Sequence, residues 1–318
     1  MPQIDMLSRR QLFQACTAVG STIATNACTQ KAPTSEKINE TLIIDTHVHF
    51  YDPAKKGGIA WPKPSQKIYG KKYPEQLNAA AGRGTVSASI VIEASPNFHD
   101  NIWIAELAEK ESSVLGAVIN LSSDTMGFDK HFSDMIRRRS VVGARLRPYN
   151  NQDVSSAEMR RYFELLADNN CTFEMKVTPE KDNNAFYSIA KNHPNLICII
   201  VHNGHLKIDG NEPPEEWKDQ ILRLAELPNV RIKVTTLMQF ATLRPRPTNL
   251  DYYLPLLDFI WQTFGEDRCI YGSNWPTSEL AHTYRENLNI LLQYMENKPM
   301  AKSKYFYQNA LRTYNINI

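Results

Sequence analysis

From Leu42 onward the chain alternates short apolar runs with longer stretches whose apolar positions recur at helical spacing. The runs read as strands over Leu42–His47, Ala88–Glu93, Leu115–Asn120, Val141–Arg145, Thr172–Val177, Leu196–His202, Val230–Thr236 and Arg268–Asn274. Helical patterns separate them. Asp100–Ser112 carries Ile102, Ile104, Ala105, Leu107 and Ala108, and Glu215–Leu227 has the same periodicity. Ser155–Asn169 opens on Ser155 and Glu158, the spacing of a capping box. Eight strands alternating with helices predict a closed parallel barrel of the (β/α)₈, or TIM, type, in one domain over residues 41–318. An open doubly wound sheet is the competing reading. It would usually place a Gly-rich phosphate turn after its first strand, where this chain has His47-Val48-His49.

A barrel gathers its working residues at the C-terminal ends of the strands. Those ends carry His47 and His49, Glu93, Asn120, Arg145 and Arg147, Glu174 and Lys176, His202, Lys233 and Thr235, and Asn274. Polar residues closing so many apolar runs are odd for packing alone and predict a polar mouth. Two long connections frame it. Tyr51–Lys72 contains Trp61, a candidate substrate wall, and Thr236–Asp251 contains Arg244-Pro245-Arg246-Pro247. Loops of this length are uncommon and often functional, although Lys55, Lys56, Lys71 and Lys72 read as plain solvated charges.

Alternate residues of a strand share a face, so the imidazoles of His47 and His49 can reach one centre. With His202, which closes the apolar run Leu196–Val201, they make three candidate ligands for a divalent metal such as zinc. His202 also reads as a catalytic residue, against the plainer reading of a histidine satisfied by a backbone carbonyl. Glu93 is a candidate base, ligand or ion-pair partner. Arg145, Arg147 and Lys233 suit a substrate carboxylate or a polarised carbonyl, and Glu174 joins them as a candidate contact. Mutual charge balancing of these residues is the alternative. His99, His131, His193 and His282 read as surface residues.

Composition narrows the picture. The chain has 318 residues, 42% of them hydrophobic, enough for one large core. A formal net charge of +2 provides no basic field for nucleic acid, so the expected partner is a small molecule. No apolar run has the length of a membrane-spanning helix. Residues 1–40 form a separate leader and linker. Ser8-Arg9-Arg10-Gln11-Leu12-Phe13, followed by a small-residue stretch from Ala15 to Ala27, predicts a twin-arginine export signal and a periplasmic destination. A basic N-terminal helix is the alternative, and Cys28 is a candidate for lipidation. Beyond Cys16 and Cys28, the cysteines Cys171, Cys198 and Cys269 lie at or in predicted strands and read as buried thiols.

Ile44-Asp45-Thr46-His47-Val48-His49-Phe50, Val91-Ile92-Glu93-Ala94-Ser95, Val201-His202-Asn203-Gly204 and Tyr271-Gly272-Ser273-Asn274-Trp275-Pro276 resemble landmarks of the amidohydrolase-related family. They are most similar to its sugar-lactonase, fuconolactonase-like branch, in order and spacing over residues 41–318. The resemblance implies a (β/α)₈ hydrolase of lactones or amides, with related branches that decarboxylate aromatic acids. It matches His47 and His49 to the paired strand-one histidines and His202 to the strand-six histidine. Two departures stand out. Asn274 occupies the position of the family's proton-accepting Asp, and an amide has no basic lone pair at neutral pH. The strand-five histidine of the decarboxylase branch is absent from Thr172–Val177. A base must then come from His202, Glu93 or Glu174, and Asn274 is left with hydrogen bonding. The expectation is a lactone hydrolase, with a catalytically weakened binder of sugar acids or lactones and a decarboxylase as rivals.

Overall fold

The computed structural model describes residues 42–317 apart from 96, 98, 122–126, 147–153 and 179–182. The arginine pair, Cys16, Cys28 and Arg147 lie outside the described residues. Eight strands run in chain order: β1 (Ile44–Val48), β2 (Ala88–Ile92), β3 (Val114–Leu121), β4 (Val141–Leu146), β5 (Thr172–Met175), β6 (Cys198–Ile200), β7 (Val230–Thr235) and β8 (Cys269–Gly272). Each pairs in parallel with the next. Helices follow the strands: α1 (Pro74–Ala81), α2 (Asp100–Lys110), α3 (Phe128–Met135), α4 (Ala157–Asp168), α5 (Asn183–Asn192), α6 (Glu215–Ala225), the short α7 (Leu237–Phe240), α8 (Leu254–Phe264), α9 (Tyr284–Tyr294), α10 (Pro299–Ser303) and α11 (Asn309–Thr313). This is the (β/α)₈ barrel expected from the pattern. None of the described helices is long and apolar enough to cross a membrane.

The period of two along each strand divides the core into two layers. Val91, Ile119, Phe173, Ile232 and Val234 face the helices, in one large cluster. Ile44, Ile90, Ile92, Val142, Ile199 and Ile270 form a smaller cluster, which we identify as the barrel interior. Ala310 and Tyr314, in and just after α11, belong to the inner cluster. The C-terminal helix therefore closes the end of the barrel opposite the mouth.

Between β8 and β1 the barrel is joined by a bridge of Val48 to Trp275. Asn274 N–H donates to the His47 carbonyl at 2.8 Å, and His49 N–H to the Trp275 carbonyl at 2.8 Å. The three cysteines expected to be thiols, Cys171, Cys198 and Cys269, are free and buried.

Some local expectations are corrected. The cap of α4 is Ser156, not Ser155: its hydroxyl accepts the Met159 N–H at 3.2 Å. Glu158 instead receives the Tyr162 hydroxyl at 2.7 Å. Lys55 is not a free solvated charge but pairs with Asp100. Of the four histidines read as superficial, His282 is buried, and its Nδ1 is satisfied by the Thr283 carbonyl at 2.8 Å.

Candidate active site

The register of β1 against β2 shifts between Asp45 and Val48. Ile44 packs in the interior cluster and Val48 in the helix-facing one, so strict alternation does not connect them. The irregularity re-aims the strand, as β-bulges commonly do. It brings both His47 and His49 to the inside. Gly272 lets His47 sit there, since a Cβ built on it would lie 2.7 Å from the His47 Cβ.

A cavity of about 470 Å³ opens at the C-terminal ends of the strands. It is lined by His49, Trp61, Ala94, Arg145, Lys176, His202, His205, Gln239, Phe240, Asn274 and Thr277. The backbone around it is unusual: His202, Asn203, His205, Thr236 and Asn274 all have φ between 52° and 58°. Left-handed geometry is costly for non-glycine residues, above all for β-branched Thr236. Its concentration at one mouth points to a constrained functional site.

Three imidazoles meet at the cavity floor, where His49 and His202 line it and His47 lies beneath. The His47 ring lies 5.1 Å from that of His49 and 4.5 Å from that of His202, centroid to centroid. His49 Nδ1 lies 3.1 Å from the Ile92 carbonyl, which makes Nδ1 the protonated nitrogen. Nε2 is then an acceptor when the ring is neutral. It sits 3.2 Å from the Asn274 amide, which in turn contacts Gln239 at 3.2 Å. Turning both amides by 180° gives one consistent chain, in which Gln239 donates to Asn274 and Asn274 donates to His49. His202 Nδ1 is 2.8 Å from the Thr235 hydroxyl. His47 is fully buried, and both its ring nitrogens lack a hydrogen-bond partner. Burial, reinforced by neighbouring positive charges, holds His47 and His202 well below the ordinary histidine range, and burial pushes His205 down to about 3. These rings are neutral at physiological pH.

Whether they fit a metal follows from the same contacts. Outer hydrogen bonds that orient a ring and fix its tautomer are the usual support of a metal-binding histidine, and His49 and His202 have them on Nδ1. The orphaned His47 adds a third neutral donor. The donor chemistry fits a borderline cation such as zinc. Among the described residues, however, no three His, Cys, Asp or Glu side chains are already arranged as a metal-holding group.

The remaining predicted residues divide. Arg145, Trp61, His202 and Asn274 line the cavity, and Glu93 stands 3.8 Å from Arg145 without lining it. Lys233 and Glu174 do not reach the cavity. They form a fully buried pair at 2.7 Å inside the barrel, where Lys233 also donates to the Thr46 carbonyl at 2.8 Å. The Tyr314 hydroxyl donates to Glu174 at 2.6 Å. Here the charge-balancing alternative is the one the structure shows. Lys176, read from the sequence only as one of the polar strand ends of the mouth, also lines the cavity, and His205, Gln239, Phe240 and Thr277 were not singled out from sequence as site residues. His205, three residues beyond His202 in a Gly-containing turn, was the most readable of them. Of the second long loop, Gln239 and Phe240 reach the cavity, whereas Arg246 turns away to the Ala281 carbonyl at 3.2 Å.

A family model described as amidohydrolase matches residues 44–316. L-fucono-1,5-lactonase of Burkholderia ambifaria is 25% identical over 287 residues, covering 87% of this chain and 96% of the relative. L-fucono-1,5-lactonase of Burkholderia multivorans is 22% identical, with 83% and 92% covered. Among solved structures, an amidohydrolase from Burkholderia multivorans with bound HEPES superposes with a TM-score of 0.75 at 21% identity, covering 87% of this chain and all of that one. A second crystal form of that amidohydrolase with bound zinc gives a TM-score of 0.73 at 21% identity, with the same coverage.

Proposed function

Since the chain belongs to the amidohydrolase family and is a hydrolase, we propose that it opens a small lactone by water attack in the cavity at the barrel mouth. The observation that carries this reading is the convergence of His49, His202, Arg145 and Asn274 on one cavity, beside a His47 whose nitrogens no protein group satisfies. The lactonase names of the two curated relatives support the substrate class.

In this reading Arg145 binds the lactone carbonyl oxygen and stabilises the charge that develops there as water attacks. Glu93 orients Arg145 from behind. His202 takes the proton of the attacking water on Nε2, with Thr235 holding its Nδ1. A depressed proton affinity keeps that nitrogen free at neutral pH, at the cost of base strength. Asn274 neither takes nor gives up a proton; it hydrogen-bonds substrate and steadies His49. Trp61 and Phe240 wall the ring of the substrate. A zinc ion held by His47, His49 and His202 would take the lone pairs of His202 Nε2 and His49 Nε2. In that zinc-loaded form the ion would polarise the lactone carbonyl as a Lewis acid, and His202 would be a ligand in place of the base.

The test is turnover of a panel of sugar lactones, followed by proton release, for wild type, His202→Gln and Asn274→Asp. Hydrolysis by wild type, reduced at least 100-fold in His202→Gln, supports the reading. Asn274 itself favours one rival, a barrel that binds such compounds without turning them over. If wild type is inert while Asn274→Asp gains activity, that rival holds. Metal analysis of protein purified without chelator, for wild type and His47→Ala, tests the zinc site separately. We also propose export, on the arginine pair at Arg9-Arg10, to be checked by fractionation of cells and by its loss in an Arg9→Lys, Arg10→Lys variant.

A further inference from the structure

Among the described residues, the charges that line the cavity are of one sign: Arg145 and Lys176 supply two cations, and none of those lining residues is Asp or Glu. The acids nearby are set back: Glu93 stands behind Arg145, and Glu174 is bound to Lys233 and Tyr314 inside the barrel. At the end of β8, where an acid would bring a negative charge to the wall, the chain has the neutral amide of Asn274. It is linked to a second neutral amide, Gln239.

Lys176 has no carboxylate partner among the described residues, yet it is only partly exposed at the end of β5. It lines the same cavity as His205 and Arg145. Two cations directed into one confined space repel each other and lose part of their hydration. A bound anion relieves both costs, and does so more strongly away from bulk water.

We infer that the cavity is built for a lactone that carries its own carboxylate, held by Lys176 beside the Arg145 that binds the lactone carbonyl, and that Asn274 belongs to this selectivity because an acid there would repel such a substrate. The inference rests on the lactone-hydrolase reading for the reaction but not for the binding. It assigns Lys176 as the residue that selects for the anion.

The experiment uses two matched pairs. D-Glucaro-1,4-lactone and D-glucono-1,4-lactone differ by a carboxylate in place of a hydroxymethyl group, and both can be hydrolysed. Tetrahydropyran-2-carboxylate and tetrahydropyran-2-methanol differ in the same way and cannot. The full chain is titrated calorimetrically with the second pair and assayed for turnover of the first. The expected result is at least tenfold tighter binding of the carboxylate ether, weakening as NaCl is raised, and a similar preference in kcat/KM. The preference should fall to threefold or less in Lys176→Gln and return in Lys176→Arg. If neither lactone is turned over but the carboxylate ether is still preferred, the hydrolase reading fails and the anion site stands. Equal binding of the two ethers, binding of neither, or a preference unchanged in folded Lys176→Gln overturns the inference.

Discussion

The buried carboxylate of Asp45 accepts the backbone N–H of Ser273 at 2.9 Å, joining the first strand to the last across 228 residues of sequence. The same oxygen accepts the His47 N–H at 3.1 Å, and its other oxygen accepts the Tyr284 hydroxyl at 3.0 Å. Asp45 thus holds the β1–β8 seam on which His47 and Asn274 both sit. Replacing it by Ala strands three donors. Asp45→Ala should cost about 3 kcal/mol, while Asp45→Asn, which keeps an acceptor and removes a buried charge, should stay within about 1 kcal/mol of wild type. Urea unfolding midpoints of the two variants provide the comparison, and equal losses in both would refute the seam role.

The buried histidines predict acid sensitivity. His47, His202 and His205 have folded-state affinities for protons below the usual 6.5. As pH falls through about 6.5, the unfolded chain takes up protons that the folded chain refuses, so stability present above that pH is lost below it. Each histidine contributes a slope of up to about 1.4 kcal/mol per pH unit. Asp45, raised by burial to about 6, works in the opposite sense between there and its ordinary 3.8, but it is one group against three. Unfolding midpoints should therefore decline steadily from pH 7 to pH 4.5, and His205→Gln should flatten the slope by about one proton. A profile that is flat over this interval contradicts the neutral-histidine assignment.

Lys233 directs all three of its donors into the barrel, to both Glu174 oxygens and the Thr46 carbonyl. Lys233→Met leaves Glu174 buried without its cation and should cost about 3–5 kcal/mol. Tyr314→Phe removes one hydroxyl from the same carboxylate, at about 1.5–3 kcal/mol. Because the two share Glu174, the double variant should lose less than the sum of the single losses, whereas strict additivity would mean that they act independently.

Gly272 provides a test of site geometry that leaves every polar group in place. A Cβ there would lie 2.7 Å from the His47 Cβ and 3.0 Å from the Thr235 Cγ2. Gly272→Ala should displace His47, cost about 1–3 kcal/mol of stability and reduce turnover by up to ~100-fold. Imidazole NMR resonances of His47 should shift along with the rate. Retained activity with unmoved resonances would show that His47 tolerates the displacement and that its placement is not critical.

The architecture was legible in the sequence because each strand is an apolar run ended by a polar residue, and helical periodicity fills the intervals. The capping of α4 was misplaced by one residue, since Ser155 alone has a Glu three positions on, yet the helix starts at Ala157 and takes Ser156 as its cap. In the site, His202, Arg145 and Asn274 were readable as polar strand ends. Lys176 and Lys233 are also polar residues at or near strand ends, yet one lines the cavity and the other lies beneath it.

By itself the sequence determined the count of strands and the chemical identities available at the mouth. It also determined that position 274 has no basic atom, a fact of covalent structure that no fold can change. Only the tertiary structure decided that a register shift in β1 turns His47 and His49 inward. It alone showed that Glu174 is bound to Lys233 and Tyr314 rather than exposed to substrate. Periodicity is a property of neighbours along the chain, and the amino acids report it directly. Depth within a barrel and the partner of a buried charge depend on contacts between strands far apart in sequence, and those exist only once the barrel has closed.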